Sequence, residues 1–111
     1  MKAHKEYAWH IMDEINFIKS NCSMLSYEAF LADEVLKRAV IRSLEIIGEA
    51  VKKIPAEVIA IYPATAWKNI AGMRDRLIHH YFGVDYFLVW DVLRNHLAQL
   101  EKDIHRILAG P

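Results

Sequence analysis

The most chemically capable side chains fall in one short stretch. Arg74-Asp-Arg-Leu-Ile-His79-His-Tyr81 sets a guanidinium, an imidazole and a phenol in the order R-x4-H-x-Y. The spacing predicts a helix over Ala66–His80, capped by Thr65. On its wheel Trp67, Ile70, Met73, Leu77, Ile78 and Tyr81 form one apolar face, with Arg74 in the middle of it. A guanidinium does not shed its proton, so burying it unpaired is very costly. One way out is a structural ion pair with a carboxylate such as Glu45 or Glu49, or an escape of the head group to solvent. The other is a cleft in which Arg74 meets an anion, for which phosphate is the natural match. His79 falls about 140° around the wheel from Arg74. A lone histidine is usually a surface or satisfied core residue. This one stands beside His80 and Tyr81 at an expected helix end, where an imidazole can move a proton near neutral pH. Such a group could handle a phosphodiester: Arg74 would neutralise developing charge, His79 would transfer a proton and Tyr81 would position the substrate. Asp75, His80, Glu45 and Glu49 are supporting candidates.

Other constellations are weaker. The chain has no Gly-rich phosphate loop, no His-Glu-x-x-His, no Glu-x-x-His and no readable Ser/His/Asp order. His79, His80 and His96 could in principle take a metal, but adjacent histidines on a helix point to different faces, so no metal or other cofactor is expected. Met12, Met24, Met73 and the three tryptophans read as core. Cys22 continues an apolar stripe and reads as a packed, inert thiol.

The elements that must position these residues are helical. A first helix is expected over Lys5–Ser20, with Tyr7, Ala8, Ile11, Ile15 and Ile18 on one stripe and a break at Asn21-Cys22-Ser23. A second should start at Ser26 as N-cap and run to Ile54. Its apolar residues Leu36, Val40, Leu44, Ile47, Val51 and Ile54, flanked by Ile41 and Ile46, cover more than half the circumference. One neighbour needs an arc only a little over 100° wide, so this helix should be central or lie across a dimer. Arg38, Arg42, Glu45, Glu49, Lys52 and Lys53 make its solvated face. Gly48 costs about 1 kcal/mol in mid-helix, which a close helix approach would compensate. A short helix follows Pro55, over Ala56–Tyr62. Asp85 should cap the last helix, in which Tyr86, Trp90, Leu93, Leu97, Leu100, Ile104 and Ile107 form a heptad seam. The expected architecture is an all-α bundle of four main helices and a short connecting one, with residues 1–111 as one domain.

Composition limits the function. The 111 residues carry 14 Lys+Arg and 14 Asp+Glu, for a net charge of zero, and 54% are hydrophobic. A strongly basic coat is excluded, although a local basic cleft built from Lys68, Arg74, Arg76 and the histidines is not. A single cysteine excludes an internal disulfide framework. No apolar run is long enough to span a membrane, and Glu6, Asp13 and Glu14 interrupt any signal-peptide core. The expectation is a cytoplasmic protein.

The motif lies within Ile70-Ala-Gly-Met-Arg-Asp-Arg-Leu-Ile-His-His-Tyr-Phe-Gly-Val-Asp85. Upstream stands Arg42-Ser-Leu-Glu-Ile-Ile-Gly-Glu-Ala-Val-Lys-Lys-Ile-Pro55, and downstream Val89-Trp90-Asp91. In this order, from about Ile11 to Ile104, the blocks resemble the HepT-like family of HEPN ribonucleases, the toxins of HepT/MntA (type VII) toxin–antitoxin pairs. The resemblance implies a HEPN helical bundle that homodimerises and brings two R-x4-H-x-Y motifs to one cleft. It implies metal-independent cleavage of RNA, with tRNA among the candidate targets, and matches Arg74 and His79 to the catalytic pair. Tyr81 matches the tyrosine that an MntA-like nucleotidyltransferase antitoxin adenylylates with ATP. Two rival readings remain: a non-catalytic HEPN dimer that docks a nucleotidyltransferase, and a plain helical bundle with a salt-bridged Arg74.

Overall fold

In the computed structural model, the described residues are 2–79 and 83–110, excluding the side chains of Lys2, Ala3, Ile78 and His79. They form eight helical segments and one minimal β-ladder. Helix α1 (Lys2–Cys22) carries the expected stripe: Ala8, Ile11, Ile15, Ile18 and Cys22 are buried, and Met12 joins them. Ser26 caps the next helix, accepting from the Ala29 amide at 3.0 Å. That helix, α2, spans only Tyr27–Ala32. Asp33 takes an extended conformation, ends α2 and caps α3 (Glu34–Lys52), accepting from the Leu36 amide at 2.9 Å. The single long helix expected from Ser26 to Ile54 is therefore two. Asp prefers an N-cap because its side chain replaces the first missing backbone acceptor.

Helix α3 is central. Val40, Leu44, Ile47 and Val51 face the core, and the helix packs against α1 on one side. Ser43 on α3 donates to Glu14 on α1 at 2.7 Å. On the other side Gly48 admits the following segment. A Cβ at Gly48 would lie 3.0 Å from the Ile70 carbonyl oxygen and 3.5 Å from that of Ala71, so the expected close approach is present. The wide apolar arc of α3 is accounted for by these neighbours within the chain.

After Pro55, α4 is one turn long (Ala56–Ile59), shorter than expected. The helix expected over Ala66–His80 is replaced by α5 (Trp67–Ala71), a break at Gly72, α6 (Met73–Leu77) and strand β1 (Ile78–His79). β1 pairs antiparallel with β2 (Gly83–Val84), in the register Ile78 to Val84 and His79 to Gly83. Gly83 has φ of 76°, a left-handed conformation suited to glycine. Thr65 does not cap α5. Its hydroxyl donates to the buried Asp103 carboxylate at 2.5 Å instead, tying this loop to the last helix.

Asp85 caps α7 (Tyr86–Asn95) as expected, accepting from Leu88 at 3.1 Å. The last helix is also divided: α7 stops at His96 and α8 runs Leu97–Ala109. The apolar seam crosses the break in phase. Leu97, Leu100, Ile104 and Ile107 are buried, while Tyr86, Trp90 and Leu93 are partly covered. Met24 is 96% exposed and Trp9 56% exposed, so neither is core as expected, whereas Met12, Met73 and Trp67 are. Among the described residues no helix is long and apolar enough to cross a membrane.

Candidate active site

Arg74 lies in α6, directly ahead of the β-ladder that contains His79. The short helix is anchored by Met73 and Leu77, both buried. Its break from α5 turns Arg74 outward. The Arg74 side chain is 64% exposed, and its Nε donates to Glu45 Oε2 at 3.1 Å. The expected ion pair with Glu45 therefore exists, but it is not buried. Glu45 is partly buried and also lies 3.8 Å from Arg42 Nη1. It thus holds the guanidinium by one edge. The terminal nitrogens of Arg74 have no hydrogen-bond partner among the described residues. A fork presented this way can take two phosphate oxygens in parallel.

The other candidates divide clearly. Glu49 is exposed and pairs with Lys52 at 3.5 Å, so it does not join Arg74. Asp75 is exposed on α6. His79 is placed by its backbone, paired with Gly83 across the ladder. It belongs to a strand, so its expected 140° offset from Arg74 on a helical wheel does not apply. His80 and Tyr81 lie outside the described residues. The three cations expected to form one basic cleft line three different hollows: Arg74 beside Leu44 and Glu45, Arg76 against α7 and α8, and Lys68 in a wide apolar groove with Lys52. Among the described residues no three metal-ligating side chains gather. Cys22 is buried, and burial pushes its thiol pKa up, in keeping with an inert thiol.

Residues outside the expected set also order this region. Asp103 on α8 is 1% exposed and accepts from Thr65, from Gln99 Nε2 at 3.2 Å and from Arg106 Nη1 at 3.5 Å. Its signal in the sequence was weak. It falls one position before Ile104 of the seam, where a charged residue reads as a boundary position.

Comparison with known proteins adds the chemistry that geometry alone leaves open. A family model described as "Ribonuclease HepT-like" matches residues 11–107. A protein of Caldanaerobacter subterraneus subsp. tengcongensis named "Putative RNase TTE0752" is 46% identical over 97% of this chain and 96% of its own length. "Probable ribonuclease HepT" of Thermococcus cleftensis is 38% identical over 96% of each chain. "Putative RNase MJ0125" of Methanocaldococcus jannaschii is 47% identical over 86% of this chain and 79% of its own. No solved structure matches. With a family match over most of its length and full-length relatives at this identity, the chain belongs to the HepT-like family of ribonucleases, enzymes whose substrate is RNA.

Proposed function

We propose that this ribonuclease is the toxin half of a toxin–antitoxin pair and cuts RNA through Arg74 and His79. The observation that carries the reading is the presentation of Arg74: exposed, held by Glu45 through Nε alone, on the helix that leads into the His79 strand. The substrate 2′-OH attacks its own adjacent phosphate. His79 moves the proton, from the 2′-OH as base or onto the departing 5′-oxygen as acid. Arg74 stabilises the charge that builds on the phosphate oxygens. The nucleophile is already tethered in the substrate, so no metal is needed to generate one. Products carry a 2′,3′-cyclic phosphate and a 5′-OH.

In this reading two copies of the chain dimerise and bring their motifs to one cleft. Control comes from an MntA-like nucleotidyltransferase. The Tyr81 phenol oxygen attacks the α-phosphorus of ATP, pyrophosphate leaves, and AMP remains on the tyrosine. The added negative charge and bulk compete for Arg74 and repel RNA phosphate.

The test is cleavage of RNA by the purified chain, with and without EDTA, followed by end analysis. Cyclic-phosphate and 5′-OH ends, unaffected by EDTA and lost in Arg74→Ala and His79→Ala, are expected. EDTA-sensitive cleavage leaving 5′-phosphates refutes the scheme. A folded wild type that cuts no RNA, yet co-purifies with the nucleotidyltransferase, points to the docking module instead.

A further inference from the structure

A second cleft opens on the other side of α6. It encloses about 400 Å³ between α5–α6 and the junction of α7 with α8. Ile70, Met73 and Val92 give it an apolar floor. Its walls carry Asn69, Arg76, Asn95, His96 and Gln99. Two carboxylates hold these walls in place. Asp91 accepts from Asn95 Nδ2 at 2.6 Å and lies 3.4 Å from His96 Nε2. Asp103, fixed by Thr65, accepts from Gln99 Nε2 at 3.2 Å. Each anchored amide keeps its carbonyl oxygen and a second N–H available. The cleft therefore offers preset donor–acceptor pairs above an apolar floor, with a guanidinium at one side.

We infer that this cleft is a subsite for one nucleotide of single-stranded RNA, next to the nucleotide whose phosphate meets Arg74. The proposal rests on the ribonuclease reading and extends it. The cavity falls within the range of roughly 300–1,000 Å³ typical of small-ligand sites. Unstacked RNA bases are recognised by apolar contact on the ring face and hydrogen bonds on the edge, and amide side chains supply both polarities. Arg76 takes a phosphate. It follows Arg74 by two positions, about 200° around a helix. Arg74 thus meets Glu45 on one side of α6 while Arg76 lines the cleft on the other. An RNA strand crossing α6 would engage both.

The test is fluorescence anisotropy with a short 2′-O-methyl RNA oligonucleotide, which binds but cannot attack its own phosphate, over a salt series. Arg76 and Asn95 are exposed, and circular dichroism checks that their variants keep the fold. Arg76→Gln should flatten the slope of log affinity against log salt by about 0.7, the loss of one single-strand phosphate contact. Asn95→Ala should weaken binding roughly three- to tenfold, the value of one or two hydrogen bonds, with the slope unchanged. The subsite is overturned if both variants bind like the wild type, if the wild type does not bind the oligonucleotide, or if the substitutions change the oligomeric mass and leave affinity intact. Arg74→Ala is assayed separately for cleavage of ordinary RNA. Persistent cleavage there sinks the Arg74 mechanism, while the Arg76 and Asn95 binding effects would still stand.

Discussion

At the residue scale, Arg74 shows how an expected ion-pair partner, Glu45, can accompany a wrong reading of place. The sequence pattern sets it mid-face among apolar neighbours, which demands a buried partner or a cleft. The Gly72 break and the early change to strand at Ile78 remove it from that face, so its partner Glu45 is reached at the surface. Arg74→Ala should therefore shift stability by no more than about 1 kcal/mol, the range of an exposed ion pair. Cleavage should fall by at least about 100-fold, the usual cost of losing one donor to a developing oxyanion. Thermal unfolding beside initial cleavage rates checks both, and a large loss of stability would return Arg74 to a structural role. Cys22 yields a prediction about pH. Burial raises its thiol pKa from the ordinary 9.0, so above that value the unfolded chain loses a proton that the folded chain keeps. Its contribution to stability is whole below pH 9.0 and lost as pH climbs through the raised folded value. Cys22→Ser should remove that alkaline decline from urea melts taken across the range, at the cost of a lower stability at neutral pH.

At the element scale, the buried faces were legible and the breaks between helices were not. Ile11, Ile15, Leu44, Ile47, Leu100 and Ile104 all lie where their spacing puts them. Periodicity reports which face is buried, and a one-residue interruption that preserves phase is invisible to it. The seam from Trp90 to Leu97 crosses His96 without losing step, so it reads as one helix. Asp33 and Gly72 did carry local signals, a capping residue and a poor helix former, which the surrounding stripe outweighed. The β-ladder has only two residues per strand, too few to show an alternation. Gly48 is the case in which local cost and tertiary gain were both readable. Gly48→Ala should gain about 1 kcal/mol of helix propensity. It also places a methyl 3.0 Å from a backbone oxygen on α5, which cannot swing aside as a flexible side chain would. Overpacking of this kind costs about 1–3 kcal/mol, so a net loss is expected in a denaturant melt. Cleavage should fall too, because α5 leads into the helix that presents Arg74. Asp33→Ala, by contrast, should cost about 1 kcal/mol through the lost cap and leave cleavage unchanged, since the cap lies roughly three turns along α3 from Glu45, the residue that holds Arg74.

At the scale of the whole molecule, charge decides whether the proposed silencing can work. Equal numbers of acidic and basic residues leave no global field to gather RNA. Attraction must come from a few cations near the scissile phosphate, and the described ones are dispersed around α5 and α6 rather than pooled. A strongly basic nuclease would tolerate one added anion. In the proposed reading a single AMP group brought close to Arg74 would change a large share of the local charge, and within a Debye length of about 8 Å at physiological salt that change would be scarcely screened. Co-expression with the proposed nucleotidyltransferase partner and ATP should therefore raise the intact mass by whole AMP units and abolish cleavage together. Tyr81→Phe should show neither change, which separates modification of that phenol from adenylylation elsewhere. The inhibition should persist after the partner is removed and should weaken as salt rises, since the added charge acts through the field as well as through bulk. Co-purification without any mass increment would instead make the partner a physical plug, and inhibition would then vanish on its removal.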